Sequence, residues 1–177
     1  METKKVAVIG GGAAGFFAAI SVKENHPSHQ VILFEKTSKV LSKVRISGGG
    51  RCNVTHDCSD IPTLCEAYPR GGKKLKSLFY QFSKSDTVDW FESRGIPLKT
   101  EIDGRMFPES NNSQSIIDCL ESEIARLKVT LKLGQTIEQI EQDGIGWKLN
   151  FKDQSNQKFD MVIIATGGSP KITGFDW

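Results

Sequence analysis

Three runs of the chain are almost wholly apolar and short. They are Lys5–Ile9 after its first residue, Val31–Phe34 closed by Glu35, and Met161–Ala165. Each is bounded by Gly, Pro or polar clusters; the first two have the pattern of a buried strand of a parallel sheet, and the third is again a solid apolar strand. Between the first two, Ala13–Glu24 carries Phe16, Phe17, Ile20 and Val22 behind small residues and halts at Asn25-His26-Pro27, which predicts a helix. Ser113–Leu127 places Ile116, Ile117, Leu120, Ile124 and Leu127 on one face of a second long helix, with Ser113 as its N-cap. Val129–Leu133 predicts a further strand. Thr136–Gln142, Gly146–Phe151 and Lys158–Asp160 alternate and are separated by Asp143-Gly144 and Asp153–Asn156, which predicts an antiparallel meander. Residues 39–110 break the rhythm. Only Lys73–Phe82 and Asp86–Arg94 are periodic there, so this stretch is expected to be a Gly-rich loop and two helices outside the sheet.

Composition narrows the picture little. With 177 residues, 38% hydrophobic and 25% charged, the chain is ordinary for a globular domain. A formal charge of +2, with lysines scattered apart from Lys73, Lys74 and Lys76, does not suggest nucleic-acid binding. No apolar run is long enough to span a membrane, and the first strand begins too early for a signal peptide. The expected setting is the cytoplasm, with Cys52, Cys58, Cys65 and Cys119 as free thiols and a small molecule as substrate. Nothing in the pattern specifies an oligomer.

The first strand runs into Gly10-x-Gly12-x-x-Gly15, and the helix starts inside that motif. Gly10 permits the tight turn, Gly12 lets backbone approach a pyrophosphate, and Gly15 lets helix and strand pack closely. The free N–H groups around Ala13 and Ala14, with the helix dipole, would hold the anion. Glu35 ends the second strand, 20 residues after Gly15. A carboxylate there accepts from ribose hydroxyls and repels a 2′-phosphate, which disfavours NADP at this position.

A nicotinamide-type Rossmann domain would continue with a second βαβ unit soon after Glu35. The order found here, an excursion, a helix, a strand, a meander and a strand ending Ala165-Thr166-Gly167, resembles the FAD domain of the glutathione-reductase superfamily. The resemblance implies an α/β fold: an FAD-binding, Rossmann-like parallel sheet with an antiparallel β-meander and a helical excursion. It also implies that Ile137, entering the meander, touches the adenine through its backbone.

Ser47-Gly48-Gly49-Gly50-Arg51-Cys52-Asn53-Val54-Thr55 is the most distinctive string. Successive glycines allow positive φ and close passage of backbone past a ligand, as at Gly49 and Gly50. Arg51 offers a planar, permanent cation to phosphate, and Asn53 and Thr55 add hydrogen-bonding groups. Together with Gly104-Arg105-Met106-Phe107-Pro108 and Ala165-Thr166-Gly167-Gly168, this string resembles a bacterial flavoprotein family that includes 3-dehydro-bile-acid Δ4,6-reductases and aminoacetone oxidases. The resemblance implies that Ala14, Gly15, Glu35, Lys36, Arg51, Cys52, Asn53 and Ile137 line FAD. It implies oxidoreductase chemistry, with NAD(P)H or dioxygen as redox partner. It also implies a protein roughly twice this length, with a second domain and a further FAD-binding segment. Residues 1–177 would then be its N-terminal FAD/NAD(P)-binding domain, inactive alone and binding FAD weakly or not at all. Lys43-Val44-Arg45 departs from the Lys-Lys-Leu type of run usual in that family.

Other chemistry has less support. Cys52 and Cys58 lack the spacing of dithiol flavoenzymes, so a catalytic disulfide is not expected. His56, Cys58 and Cys65 do not form a metal-ligand pattern. His26, His29 and His56 suggest no triad, and no catalytic acid or base stands out. Trp90 and Phe91 read as core, and Lys73-Lys74 as a solvated helix start. The remaining alternatives are a nicotinamide-only Rossmann protein and a non-catalytic dinucleotide-binding module.

Overall fold

The computed structural model describes residues 2–58, 60–66, 68 and 71–168. In chain order the strands are β1 (Lys5–Ile9), β2 (Gln30–Phe34), β3 (Thr55–His56), β4 (Leu98–Thr100), β5 (Arg105–Pro108), β6 (Thr130–Lys132), β7 (Ile137–Asp143), β8 (Gly146–Phe151), β9 (Asn156–Phe159) and β10 (Met161–Ile164). The helices are α1 (Ala13–Asn25), α2 (Ser42–Ile46), α3 (Ile61–Glu66), α4 (Gly72–Phe79), α5 (Lys84–Glu92) and α6 (Ser113–Arg126). They divide into two units, Met1–Ser42 with Leu120–Trp177, and Lys43–Cys119. Among the described residues no helix is long and apolar enough to cross a membrane.

In the first unit, β10, β1, β2 and β6 lie side by side in that order, every pair parallel. Val6 pairs with both Met161 and Val31, so the two outer apolar runs flank the first one in register. Side chains alternate across a strand, and both faces of β1 are covered. Ala7 joins Ile32, Phe34, Leu149, Phe151 and Phe159 in one cluster, with Ile9, Ile137, Ile140 and Val162 packed against it. That cluster seats the β7-β8-β9 meander on one face of the sheet. Phe34 meets the rings of Phe151 at 5.3 Å and Phe159 at 5.8 Å. Val6 and Val8 point to the other face, where α1 buries Phe16, Ala19 and Ile20, one stripe at helical spacing. The unit is thus helix, parallel sheet and meander in three layers, the meander standing where a crossover helix would return the chain.

The second unit holds a small antiparallel sheet of order β3-β5-β4 beside its short helices. This corrects the expectation of a loop and two helices. Strands of two to four residues are too short to show alternation, and the partner of β3 lies about fifty residues away in sequence. The two periodic stretches do form α4 and α5. A capping box at Ser83 and Asp86 starts α5.

A second correction concerns α6. Asn112, not Ser113, caps it: Asn112 Oδ1 accepts from the Gln114 amide at 2.9 Å. The Ser113 hydroxyl instead donates to the Arg45 carbonyl at 2.8 Å. The apolar face is as predicted, with Ile116, Ile117, Leu120 and Ile124 buried.

Candidate functional site

The C-terminal ends of β1, β2 and β10 meet at the Gly10–Gly15 loop. Gly10 has φ +116°, a conformation open to glycine, and a Cβ there would run into the backbone of Ala165 and Thr166. Its amide donates to the Phe34 carbonyl at 2.8 Å, and the Ala165 amide to the Ile9 carbonyl at 2.8 Å. The loop is therefore tied to both neighbouring strands. A Cβ on Gly15 would overlap the Gly10 carbonyl and press on Leu33, so this glycine lets α1 sit against the sheet. Gly12 is the opposite case: nothing lies within 4 Å of where its Cβ would be. It occupies the N-cap of α1, with φ −92°, and offers no side chain to cap the helix. No acidic residue stands in the first turn, and Ala13 and Ala14 are exposed. The positive end of the helix thus faces open space, a ready site for an anion.

Glu35 organises the other side of the loop. Its Oε2 accepts from the Gly11 amide at 2.8 Å, and its Oε1 from the Thr37 amide at 2.8 Å and hydroxyl at 2.9 Å. Burial raises its pKa, but the backbone bonds from Thr37 and Gly11, the Thr37 hydroxyl and the charge of exposed Lys36 outweigh burial and hold it below the ordinary 4.5. A carboxylate has about four acceptor positions. Three are filled here, and the open one is on Oε2.

Gly11 and Thr37 are the residues that sequence reasoning missed. Gly11 had a signal, since the phosphate motif needs glycine at Gly10 and Gly12 but not between them. The reason is that a Cβ on Gly11 would sit 2.9 Å from the Glu35 Cβ. Leu41, buried at φ +55°, clamps the loop by donating to the Gly11 carbonyl at 2.8 Å.

Ile137 opens β7 next to a register shift, and nearby the Gln135 amide donates to the Glu35 carbonyl at 2.9 Å. Gly134, Gln135, Thr136, Phe151, Lys152 and Asp153 line a depression at that entrance. Thr166 and Gly167 are exposed after β10, with Gly167 at φ +72°. The structure therefore brings Gly10, Gly12, Ala13, Ala14, Gly15, Glu35, Lys36, Ala165, Thr166 and Gly167 to one end of the sheet.

Gly49, Gly50, Arg51, Cys52 and Asn53 belong to the second unit. Gly48, Gly49 and Gly50 all have positive φ, and Cys52 follows at φ +64°. No atom lies within 4 Å of a Cβ placed on Gly49, while one on Gly48 would strike Phe107. The Arg51 guanidinium stacks 3.9 Å from the Phe107 ring and is ion-paired with Glu101, a partner the sequence did not reveal. The side-chain amide nitrogen of Asn53 donates to the carbonyls of Met106 at 3.2 Å and Thr55 at 2.9 Å. Cys52 is buried, and burial pushes its thiol up. All four cysteines are free. Among the described residues no cluster of His, Cys, Asp and Glu could hold a metal ion.

A parallel βαβ unit with an open helix N-terminus and an acidic residue closing the second strand defines the Rossmann-like dinucleotide-binding class. Within that class the chain belongs to the family of HI0933-like protein Rossmann domains, whose model matches residues 4–174. It is 30% identical over 97% of its length to a 3-dehydro-bile acid delta(4,6)-reductase of Clostridium scindens, covering 41% of that protein. It is 29% identical over 95% of its length to a ribosomal RNA dihydrouridine synthase of Escherichia coli (strain K12), covering 40% of it. The chain thus spans about two fifths of these relatives. In fold it is similar to a flavocytochrome c3 fumarate reductase in its open conformation, with a TM-score of 0.66 at 23% identity over 94% of this chain and 34% of that one.

Proposed function

We propose that the first unit binds the adenosine diphosphate half of FAD and that the whole protein is an FAD-dependent oxidoreductase. The observation that carries this reading is the uncapped N-terminus of α1, with clear space over Gly12 and a Glu35 carboxylate fixed beside it. The pyrophosphate sits on the amides at Gly12, Ala13 and Ala14. A ribose hydroxyl donates to the open position on Glu35 Oε2, where a 2′-phosphate would be repelled. The adenine lies toward Ile137. FAD rather than NAD is supported by the meander that leads into β10, and by the similarity in fold to a flavocytochrome.

When bound, FAD supplies the two-electron chemistry, and the protein binds, orients and tunes it. The reaction class would be reduction of an electron-poor alkene at the expense of NAD(P)H, which gives up a hydride while the alkene gains a hydride and a proton from water, with FAD, held by the residues above, supplying the hydride chemistry. The reductase among the relatives supports this direction over oxidation of an amine by dioxygen. Gly49, Gly50, Arg51, Cys52 and Asn53 are proposed as further cofactor-lining residues, on the family resemblance of the string they form. In the same reading residues 1–177 are the N-terminal part of a longer cytoplasmic protein with a small-molecule substrate, without nucleic-acid or membrane partners, and the 177-residue chain alone does not turn over. Titrating this chain with FAD, ADP and NADH tests the central assignment. Binding of FAD competed by ADP supports it; binding of NADH with none of FAD overturns it in favour of a nicotinamide-only protein.

A further inference from the structure

His56 ends β3 and Cys58 follows two residues later. Cys58 Sγ lies 3.1 Å from His56 Nδ1, and His56 Nε2 lies 3.1 Å from the Asp103 carbonyl oxygen. A carbonyl can only accept, so Nε2 carries the ring proton and Nδ1 is left as the acceptor for the thiol. A nucleophile on a base, with the base oriented by a third group, is the arrangement of an activated nucleophile. The surroundings hold it in place. Gly104, at φ +82°, lies where a Cβ would overlap the imidazole, so the ring packs close against backbone. The Asp57 amide donates to the Gly104 carbonyl at 2.7 Å, and the Cys58 amide to the His56 carbonyl at 2.9 Å.

The charged groups nearby are largely paired. From α5, Lys84 Nζ holds Asp57 at 2.5 Å and lies 3.4 Å from the Cys58 carbonyl. From β5, Arg105, opposite His56 in register, holds Asp103 at 2.7 Å. Cys58 and His56 are half-buried, so a small reagent reaches them, whereas Cys52 and Cys119 are buried.

We propose that Cys58 and His56 form a reactive-thiol site for small hydroperoxides, a role independent of the dinucleotide reading. The thiol proton passes to His56 Nδ1 and the sulfur attacks the distal peroxide oxygen. The S–O bond forms as the O–O bond breaks, and the departing oxygen takes the proton from His56. Sulfur is oxidised by two electrons to Cys58 sulfenic acid, and the peroxide is reduced to an alcohol, or to water when it is hydrogen peroxide. The pair suits a peroxide because the leaving oxygen needs the proton that the histidine has just received.

The test is peptide-resolved mass spectrometry of the chain treated at neutral pH with hydrogen peroxide plus dimedone, and separately with iodoacetamide. Cys65, half-buried as well, is the internal reference. Cys58 is expected to be trapped as sulfenic acid at least about tenfold faster than Cys65, within what a positioned base contributes. His56→Asn should bring it to within about threefold of Cys65 and leave the Cys65 rate and the circular dichroism unchanged. Equal rates at the two cysteines in the unaltered chain overturn the proposal and require no variant. So does an unchanged Cys58 rate in folded His56→Asn. Fast alkylation without fast oxidation overturns the hydroperoxide assignment.

Discussion

Gly12 and Gly15 stand three residues apart in one motif, and the structure assigns them opposite jobs that alanine substitution separates. At Gly15 a methyl group would overlap the Gly10 carbonyl oxygen, with its carbon 3.1 Å and Leu33 Cδ1 3.3 Å away. The obstacle is backbone, so no rotamer change relieves it, and β1 and α1 must part. Overpacking of this kind costs about 1–3 kcal/mol or more, while Gly-to-Ala inside a helix returns about 1 kcal/mol. Because the overlap is with backbone, the cost lies at the upper end, and a net loss of about 2 kcal/mol follows, or about 4–8 °C in Tm for a chain of this size. At Gly12 the methyl group meets nothing and φ of −92° suits alanine. Losing a good N-cap residue costs about 0.5 kcal/mol, and the stiffer unfolded chain returns about as much. Stability should stay within about 0.5 kcal/mol of the parent. The same methyl group stands where a pyrophosphate must come, and loss of one charge-assisted hydrogen bond, worth about 1.5–3 kcal/mol, weakens binding tenfold or more. Urea unfolding followed by circular dichroism measures the first quantity and calorimetric titration with FAD the second. The reasoning is refuted if Gly15→Ala is as stable as the parent, or if Gly12→Ala binds FAD as the parent does.

Further outcomes follow from the same geometry. Phe34→Ala removes the ring shared by Phe151 and Phe159 and should cost about 3–5 kcal/mol, read from the urea midpoint; a loss below about 1 kcal/mol would mean the meander is not seated on Phe34. Glu35 has a depressed pKa when folded, so its contribution is full above the ordinary 4.5 and is lost as pH falls through the lower folded value. The stability gap between the parent and Glu35→Gln should therefore be present at pH 7 and shrink below 4.5; a gap constant with pH would contradict the bonds drawn to Gly11 and Thr37. Asn112→Ala should lower stability by about 1 kcal/mol through loss of the α6 cap, whereas a Ser113 substitution acts through the Arg45 carbonyl.

The parts of the fold visible in the sequence are those with a local cause. Gly10 and Gly15 are glycines for two different steric reasons, while Gly12 has clear space over it; Val6–Ile9 and Val31–Phe34 announce burial by being apolar throughout, whereas Met161–Ile164 is as apolar but lies at the sheet edge with Met161 and Ile164 exposed. The meander was visible because Trp147, Leu149 and Phe151 alternate along β8 and Asp143-Gly144 marks the turn, whereas β7, with a register shift at Ile137, does not alternate. What stayed hidden depends on distant partners. The pairing of Thr55–His56 with Arg105–Met106 leaves no trace in either dipeptide. Likewise nothing around Arg51 foretells Glu101, and nothing around His56 foretells the Asp103 carbonyl that fixes its tautomer. At α6, both Asn112 and Ser113 are good capping residues, and only the backbone path decided between them.

The central claim is that the open N-terminus of α1 and the fixed Glu35 make a site for the adenosine diphosphate half of FAD. Calorimetric titration of the 177-residue chain with FAD, repeated with ADP present, tests it most directly. Of the two outcomes expected from the sequence, weak binding or none, the open helix end selects the first: weak but saturable one-to-one binding, with Kd below about 1 mM, competed by ADP and lost in Gly12→Ala. Absence of binding by both FAD and ADP in a folded chain would contradict it, as would FAD binding that ADP leaves unchanged.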